Sequence, residues 1–306
     1  MTSYLYEITG LVRLELVRLV KSWRWPLAMI ICTLGAWRAS EQVIRYGWVV
    51  RLRPNIWDVY LAFYGEWTGL FINLIVPLIF FLLVGDIIIR DTRSHYMQVI
   101  ISRLHHRESW WLAKCLSVLI TALLFCLVLV LICCVMGLIR GLPISGQLSQ
   151  VATYTGPLDM SRIAQFHVQP PPIRPFWNNV NVFSHIALLV VRLAVAYTTL
   201  ALAGILVGLR ARNSLLPTGF SVVVLYATAQ SANSFSSPAP QGWVRFLWNV
   251  MADSTFRGGY AGETLEEAKF GQLFIPYSQT EALGILCLVF FALMIIGLIS
   301  CSRAEW

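Results

Sequence analysis

The sequence predicts an all-α polytopic membrane protein: six transmembrane helices, both termini cytoplasmic, and an interfacial amphipathic helix at the N-terminus. Three observations predict it. Hydrophobic residues make up 58% of the 306 and charged residues only 12%, against about 45–50% apolar in soluble domains. The apolar residues gather in runs of bilayer length, about 20 helical residues being enough for a hydrocarbon core of roughly 30 Å. Trp23, Trp25, Trp37, Trp67, Trp110, Trp111 and Trp177 fall at or close to the ends of these runs, where an indole with one wet edge belongs. The whole chain, 1–306, reads as one transmembrane domain.

Residues 1–24 carry spread-out charge and no small-residue cleavage site, so they are not read as a signal peptide. Leu5, Ile8, Val12, Leu16, Leu19 and Trp23 recur every three or four positions, with Glu7, Glu15, Arg18 and Lys21 on the other side. A helix of that kind lies in the membrane surface; packing on a core is the alternative. A first span follows at about 25–45. Arg38 and Glu41 near its far end are either a functional pair or side chains snorkelling to the interface. Residues 46–66 read as a polar, Trp-bearing, extracytoplasmic connection.

The second span, 67–89, has no charge before Asp86. Pro77 should bend it. Asn73 places an amide inside it, either lining a substrate path or bonding neighbouring helices together. The third span is 112–138. Residues 140–181 hold Pro143, Pro157, Pro170, Pro171, Pro172 and Pro175 without sustained periodicity, and read as an extracytoplasmic loop. A fourth span covers 182–209, with Arg192 placed near its outer boundary. A short fifth span, 215–230, contains Thr228. Residues 231–281 form a second outer loop, with Trp243, Phe246, Leu247, Val250 and Met251 marking a small amphipathic helix. The sixth span is 282–301. Basic residues are denser in the proposed inner segments, which orients the bundle with both ends inside.

Between spans two and three, residues 85–114 make the longest charged interval pinned between two bilayer-length runs. Arg90, Arg93, Arg103, Arg107 and Lys114 stand against Asp86, Asp91 and Glu108, while Met97, Ile100, Ile101 and Leu104 keep helical spacing. This pattern predicts a short amphipathic helix serving as a cytoplasmic docking surface; a helix pinned to lipid headgroups is the bland alternative.

Most chemistry is excluded. The net charge of +8 comes from residues flanking apolar runs, the placement of membrane anchors rather than of a nucleic-acid surface. No Gly is followed by Lys, so no phosphate-cradling GxxxxGK[ST] loop exists, and GxSxG is absent too. His105, His106 and Glu108 lack the spacing of a metal site, since adjacent helical histidines diverge by about 100°. All seven cysteines lie in or beside apolar runs, with no CxxC pair or zinc spacing. A membrane enzyme would need a convergent polar cluster within the spans, where only scattered Asn73, Arg192 and Thr228 occur. The chain is therefore not expected to be an enzyme, nor to bind a metal or cofactor.

Two stretches carry a family resemblance. LVRLELVRLVKSWRWPL is similar to the charged helix leading into span one of the membrane (permease) subunit of type-2 ATP-binding-cassette exporters. VIISRLHHRESWWLAK resembles that family's signature of two aliphatics, Ser, Pro, Arg and then Lys. Ser102 takes the Ser, Arg107 the Arg, and Lys114 the Lys that begins span three; Leu104 stands where the family has Pro. The resemblance implies that two such subunits, identical or paralogous, face each other with spans two and five near the shared axis. It implies separate ATPase subunits that use ATP and Mg beneath them, docking on Asp91, Met97, Ile100, Arg103, Leu104 and Arg107. Asn73, Pro77 and Thr228 would line the pathway, in a bacterial cytoplasmic membrane. The other function class to weigh is a non-transporting sensing or anchoring module.

Overall fold

In a computed structural model the described residues are 2–64, 75–93, 104, 106, 108–147, 149, 151, 181–211, 219, 221, 223 and 279–303. Among them every regular element is helical. The long elements are α1 (Thr2–Val20), α2 (Arg24–Val50), α3 (Ile56–Tyr64), α4 (Val76–Arg93), α5 (Glu108–Ile139), α6 (Val182–Ala211) and α7 (Gln279–Arg303). Three carry a stretch long and apolar enough to cross a bilayer: Glu108–Ile139, Val182–Gly208 and Leu283–Ser300. These match the expected third, fourth and sixth spans. α4 holds a shorter apolar stretch, Val76–Gly85. Of the expected fifth span, Gly219, Ser221 and Val223 are described, all helical, and the Ser221 hydroxyl donates to the Leu200 carbonyl at 3.3 Å.

α1 and α2 are almost one rod, broken only at Lys21, Ser22 and Trp23. Pro26 falls in the first turn of α2, where its missing N–H costs no helical bond. The face α2 turns inward is made of small residues at helical spacing, with Ala28, Cys32, Ala36, Ala39 and Val43 all buried. Small side chains let backbones approach closely, and α2 packs on α5 along this seam. α2 ends with Arg51 at a φ of 58°, and the Leu52 N–H returns to the Gly47 carbonyl at 3.0 Å. A Cβ on Gly47 would stand 2.9 Å from both the Leu52 oxygen and Pro54 Cδ, so glycine is required for this turn.

Side-chain contacts fix how this rod lies on α5. Tyr4 meets His106, Glu7 meets Ser109, Glu15 meets Lys114, Trp25 meets Phe125 and Trp37 meets Arg140. The partners keep nearly the same offset, 102 positions at Glu7 and 99 at Glu15. α1 and α2 therefore run in the same direction as α5 along most of its length, which at 32 residues is about 48 Å. α7 returns the other way, with Met294 and Gly297 beside Trp111. The start of α1 and the end of α7 thus flank the same, N-terminal half of α5.

The middle of the bundle is held by an aromatic layer from four helices. Trp25 and Phe80 both pack on Phe125, and Phe80 stacks on Tyr197 with ring centroids 5.3 Å apart. Such pairs contribute about 0.5–1.5 kcal/mol each beyond their buried area.

Three sequence expectations change. Residues 46–66 are not a plain polar connection: α2 continues to Val50, and α3 buries Val59, Tyr60, Leu61, Ala62 and Phe63. Arg192 does not extend to the surface of the chain; it is buried, because α6 is enclosed by α4, α5 and α7. Trp110 and Trp111 are buried instead of wet-edged. The Trp111 N–H donates to the Met294 carbonyl at 2.9 Å, and its ring fills a notch at Gly297.

Candidate functional site

The sequence directs attention to the 85–114 interval, and the described residues at its end lie at one base of the bundle. Here α1 packs against the first turns of α5 and, more lightly, against α4. The contact centres on an ion pair. Lys114 Nζ lies 2.7 Å from Glu15 Oε1, with side chains only 3% and 6% exposed. Arg18, one helical turn further on, approaches the same Glu15 oxygen at 3.8 Å. The Lys114 ammonium also sits 5.6 Å from the centre of the Trp110 ring, a face whose negative potential favours a cation. One turn lower, the Ser109 hydroxyl donates to Glu7 Oε2 at 3.4 Å, and His106 meets the Tyr4 ring edge-on. Burial, with Glu108 and Glu7 nearby, holds the Tyr4 phenol above its ordinary pKa.

This revises the reading of α1. Glu15 was expected on the polar side; it is buried, and the inward face of α1 runs through Ile8, Glu15 and Leu19. That face is rotated from the centre of the apolar stripe by roughly 40°, at 100° per residue, which leaves Leu5 and Trp23 exposed. The rotation has an electrostatic cause: an uncompensated Lys114 at the start of α5 would be costly to bury, and Glu15 neutralises it. A sequence signal existed, because Ile8, Glu15 and Leu19 lie seven and four residues apart, on one helical face.

Among the expected docking residues, Asp91 lies in the last turn of α4. Leu104 is half-buried, outside any helix, and packs on the chain's own core. Met97, Ile100, Arg103 and Arg107 lie outside the described residues. Among the expected pathway residues, Pro77 is buried in the first turn of α4, and Asn73 and Thr228 lie outside the described residues. Glu41 pairs with Arg45 on the surface of α2, while Arg38 is exposed.

A second polar cluster stands at the opposite end of α5 and was not anticipated. Asn55 caps α3: its Oδ1 accepts from the Trp57 and Asp58 N–H groups at 3.0 and 3.2 Å, and Asp58 Oδ2 accepts from the Asn55 N–H at 2.7 Å. This is the reciprocal pattern of a capping box, legible as Asn-x-x-Asp before an apolar run. The segment after α5 is tied over it. Asn55 Nδ2 donates to the Gln147 carbonyl at 2.9 Å, Trp57 Nε1 to the Ser145 carbonyl at 2.6 Å, and the Ile56 N–H to the Pro143 carbonyl at 3.2 Å. Gly137 lets Ile56 come close, since a Cβ there would lie 3.1 Å from the Ile56 Cα.

Residues 27–163 match a family described as "Protein of unknown function (DUF2705)". The matched stretch takes in all but the first turn of α2, then α3, α4, α5 and the segment over α3, and ends before α6. No curated protein matches the chain.

Proposed function

We propose that this chain is the permease subunit of an ATP-binding-cassette exporter, working beside a second copy or a paralogous subunit and driven by separate ATPase subunits. In this reading six spans cross a bacterial cytoplasmic membrane with both termini inside, and residues 85–114 face the cytosol. The observation that carries it is the buried Glu15–Lys114 pair. It joins the two stretches that resemble the exporter family, 99 residues apart in the chain, at the base of a bundle of bilayer-length helices. A push on the 85–114 interval from below would be delivered to α5 directly and to α2 through α1, because α1 is clamped to α5 by charge. α5 is long enough to reach from that base across the hydrocarbon core.

ATP and Mg belong to the partner subunits. Arg103 and Arg107 make charge-assisted contacts to acidic residues of the ATPase, with Asp91, Met97, Ile100 and Leu104 completing the surface, and Asn73 and Thr228 line the path between paired subunits, Pro77 being buried within the chain. The test is affinity purification from the native membrane, which should recover a protein bearing a Walker A loop. Arg103→Glu with Arg107→Glu should remove that protein and the ATP turnover it brings. Retention of both by the double variant would refute the docking role. Recovery of partners with no ATPase among them would favour an anchoring module and refute the exporter reading.

A further inference from the structure

The cap at the far end of α5 contains a group that the proposed export function does not use. Asp58 is 4% exposed. Its Oδ2 accepts the Asn55 N–H at 2.7 Å, while its Oδ1 is buried and meets no donor among the described residues. A carboxylate oxygen left in that condition is costly to keep charged. The same residue organises the N-terminus of α3, and Asn55, Trp57 and Ile56 beside it make the bonds that hold residues 143–147 down. Ser149 and Val151 are buried next to them, with the Val151 N–H donating to the Ser149 hydroxyl at 3.1 Å.

We propose that Asp58 is a proton-operated latch: with its carboxyl protonated, the 143–147 segment stays closed over the start of α3, and ionisation of Asp58 releases it. Only a proton is exchanged, between Asp58 Oδ1 and bulk water, when the latch opens. The latch holds whichever side of the membrane this end faces, so it stands or falls separately from the export function.

The surroundings of Asp58 support this. Burial raises its carboxyl from the ordinary carboxylate range to about 7, offset in part by the nearby Ser149 hydroxyl and the Asn55 backbone N–H, and among the described residues no charged group contributes. Charges on the elements packed around α3 are engaged elsewhere or face away. On α2 and the turn after it, Glu41 pairs with Arg45, and Arg51 and Arg53 are exposed. α5 carries its charges, Glu108 and Lys114, at the other end, and Arg140 lies over the Trp37 ring at 3.8 Å. α6 touches α3 through Phe183 on Trp57; its Arg192 is nine residues further along, about 13 Å at 1.5 Å per residue. The closed form therefore binds a proton more tightly than the open form, in which Asp58 meets water. Closure is fully favoured below the ordinary carboxylate pKa and is lost as pH rises through about 7.

Hydrogen–deuterium exchange on the full chain in lipid nanodiscs, from pH 5.5 to 8.5 and corrected for intrinsic exchange rates, reads the latch directly. Protection of residues 55–58 and 143–147 should fall by up to about tenfold per pH unit as pH rises to the closed-form midpoint near 7 and level off above it, while the centre of α5 stays constant. In Asp58→Asn, which keeps the acceptor for Asn55 without the charge, protection should be independent of pH. Ser149→Ala, which removes a hydrogen bond favouring the ionised form, should move the wild-type midpoint upward. A flat wild-type profile overturns the proposal, whether or not Asp58→Asn folds. So does a wild-type decline in Asp58→Asn, or a Ser149→Ala midpoint that stays put or moves down.

Discussion

Breaking the Glu15–Lys114 pair from one side should loosen α1 from α5. The two side chains are 3% and 6% exposed and 2.7 Å apart, so neither charge can turn to water when the other is removed. Removing one partner of such a pair costs about 3–5 kcal/mol, most of it the penalty of a buried, uncompensated charge. Lys114→Met, which leaves Glu15 only the longer Arg18 contact at 3.8 Å, should therefore raise the population of the detached α1 by tenfold or more, at about tenfold per 1.4 kcal/mol. Arg13, Arg18 and Lys21 place tryptic sites along α1, so its detachment is readable as cleavage rate in detergent, in the regime where cutting is slower than reclosing. The Glu15→Leu, Lys114→Met double variant removes both charges and should return cleavage close to the wild-type rate, since well-packed apolar replacements of buried pairs are often neutral or stabilising. The difference between single and double variants is the coupling energy of the pair. A Lys114→Met variant cleaved within threefold of wild type would refute the argument, because it would mean that Glu15 is held as well by Arg18 or water as by Lys114.

Two further outcomes follow from packing and capping. Gly297→Ala places a Cβ about 2 Å from the Trp111 ring, which is fully buried; overpacking of this kind costs about 1–3 kcal/mol, seen as a lower melting temperature, and the substitution should be nearly silent in a Trp111→Ala background. Equal cost in both backgrounds would place the strain elsewhere. Asn55→Ala removes the cap of α3 and a tie to Gln147, and should cost about 1–2 kcal/mol, measured as faster amide exchange in 56–64 with α5 unchanged. Unaltered exchange there would show that the cap does not hold the helix.

The three helices that qualify as spans were legible from the chain alone, at 112–138, 182–209 and 282–301, because crossing a bilayer demands an unbroken apolar run. That is a one-dimensional property. α1 was legible as a helix for the same kind of reason, its apolar residues recurring every three or four positions. Its packing on α5 was not: the apolar stripe predicts a helix lying in the membrane surface with Glu15 on its polar side, whereas Glu15 is buried against α5 while Leu5 and Trp23 stay exposed. Trp110 and Trp111 mislead similarly, since position at the end of an apolar run does not reveal a glycine notch on α7. α3 was overlooked because nine residues are too few for a periodicity, although Asn55 and Asp58 mark its start.

Composition and the spacing of apolar residues determined that the chain is helical, that it holds bilayer-length helices, and about where those helices begin and end. Folding alone decided that α1 runs along α5, that Glu15 faces Lys114 across 99 residues, and that the 143–147 segment is tied down over Asn55. The physical reason is that α5, at 32 residues about 48 Å, is longer than a hydrocarbon core of roughly 30 Å requires, and it carries Lys114 buried in its first turns. Its first turns need a partner there, and which face of α1 supplies it depends on a buried charge that helical periodicity, counted within one segment, does not weigh.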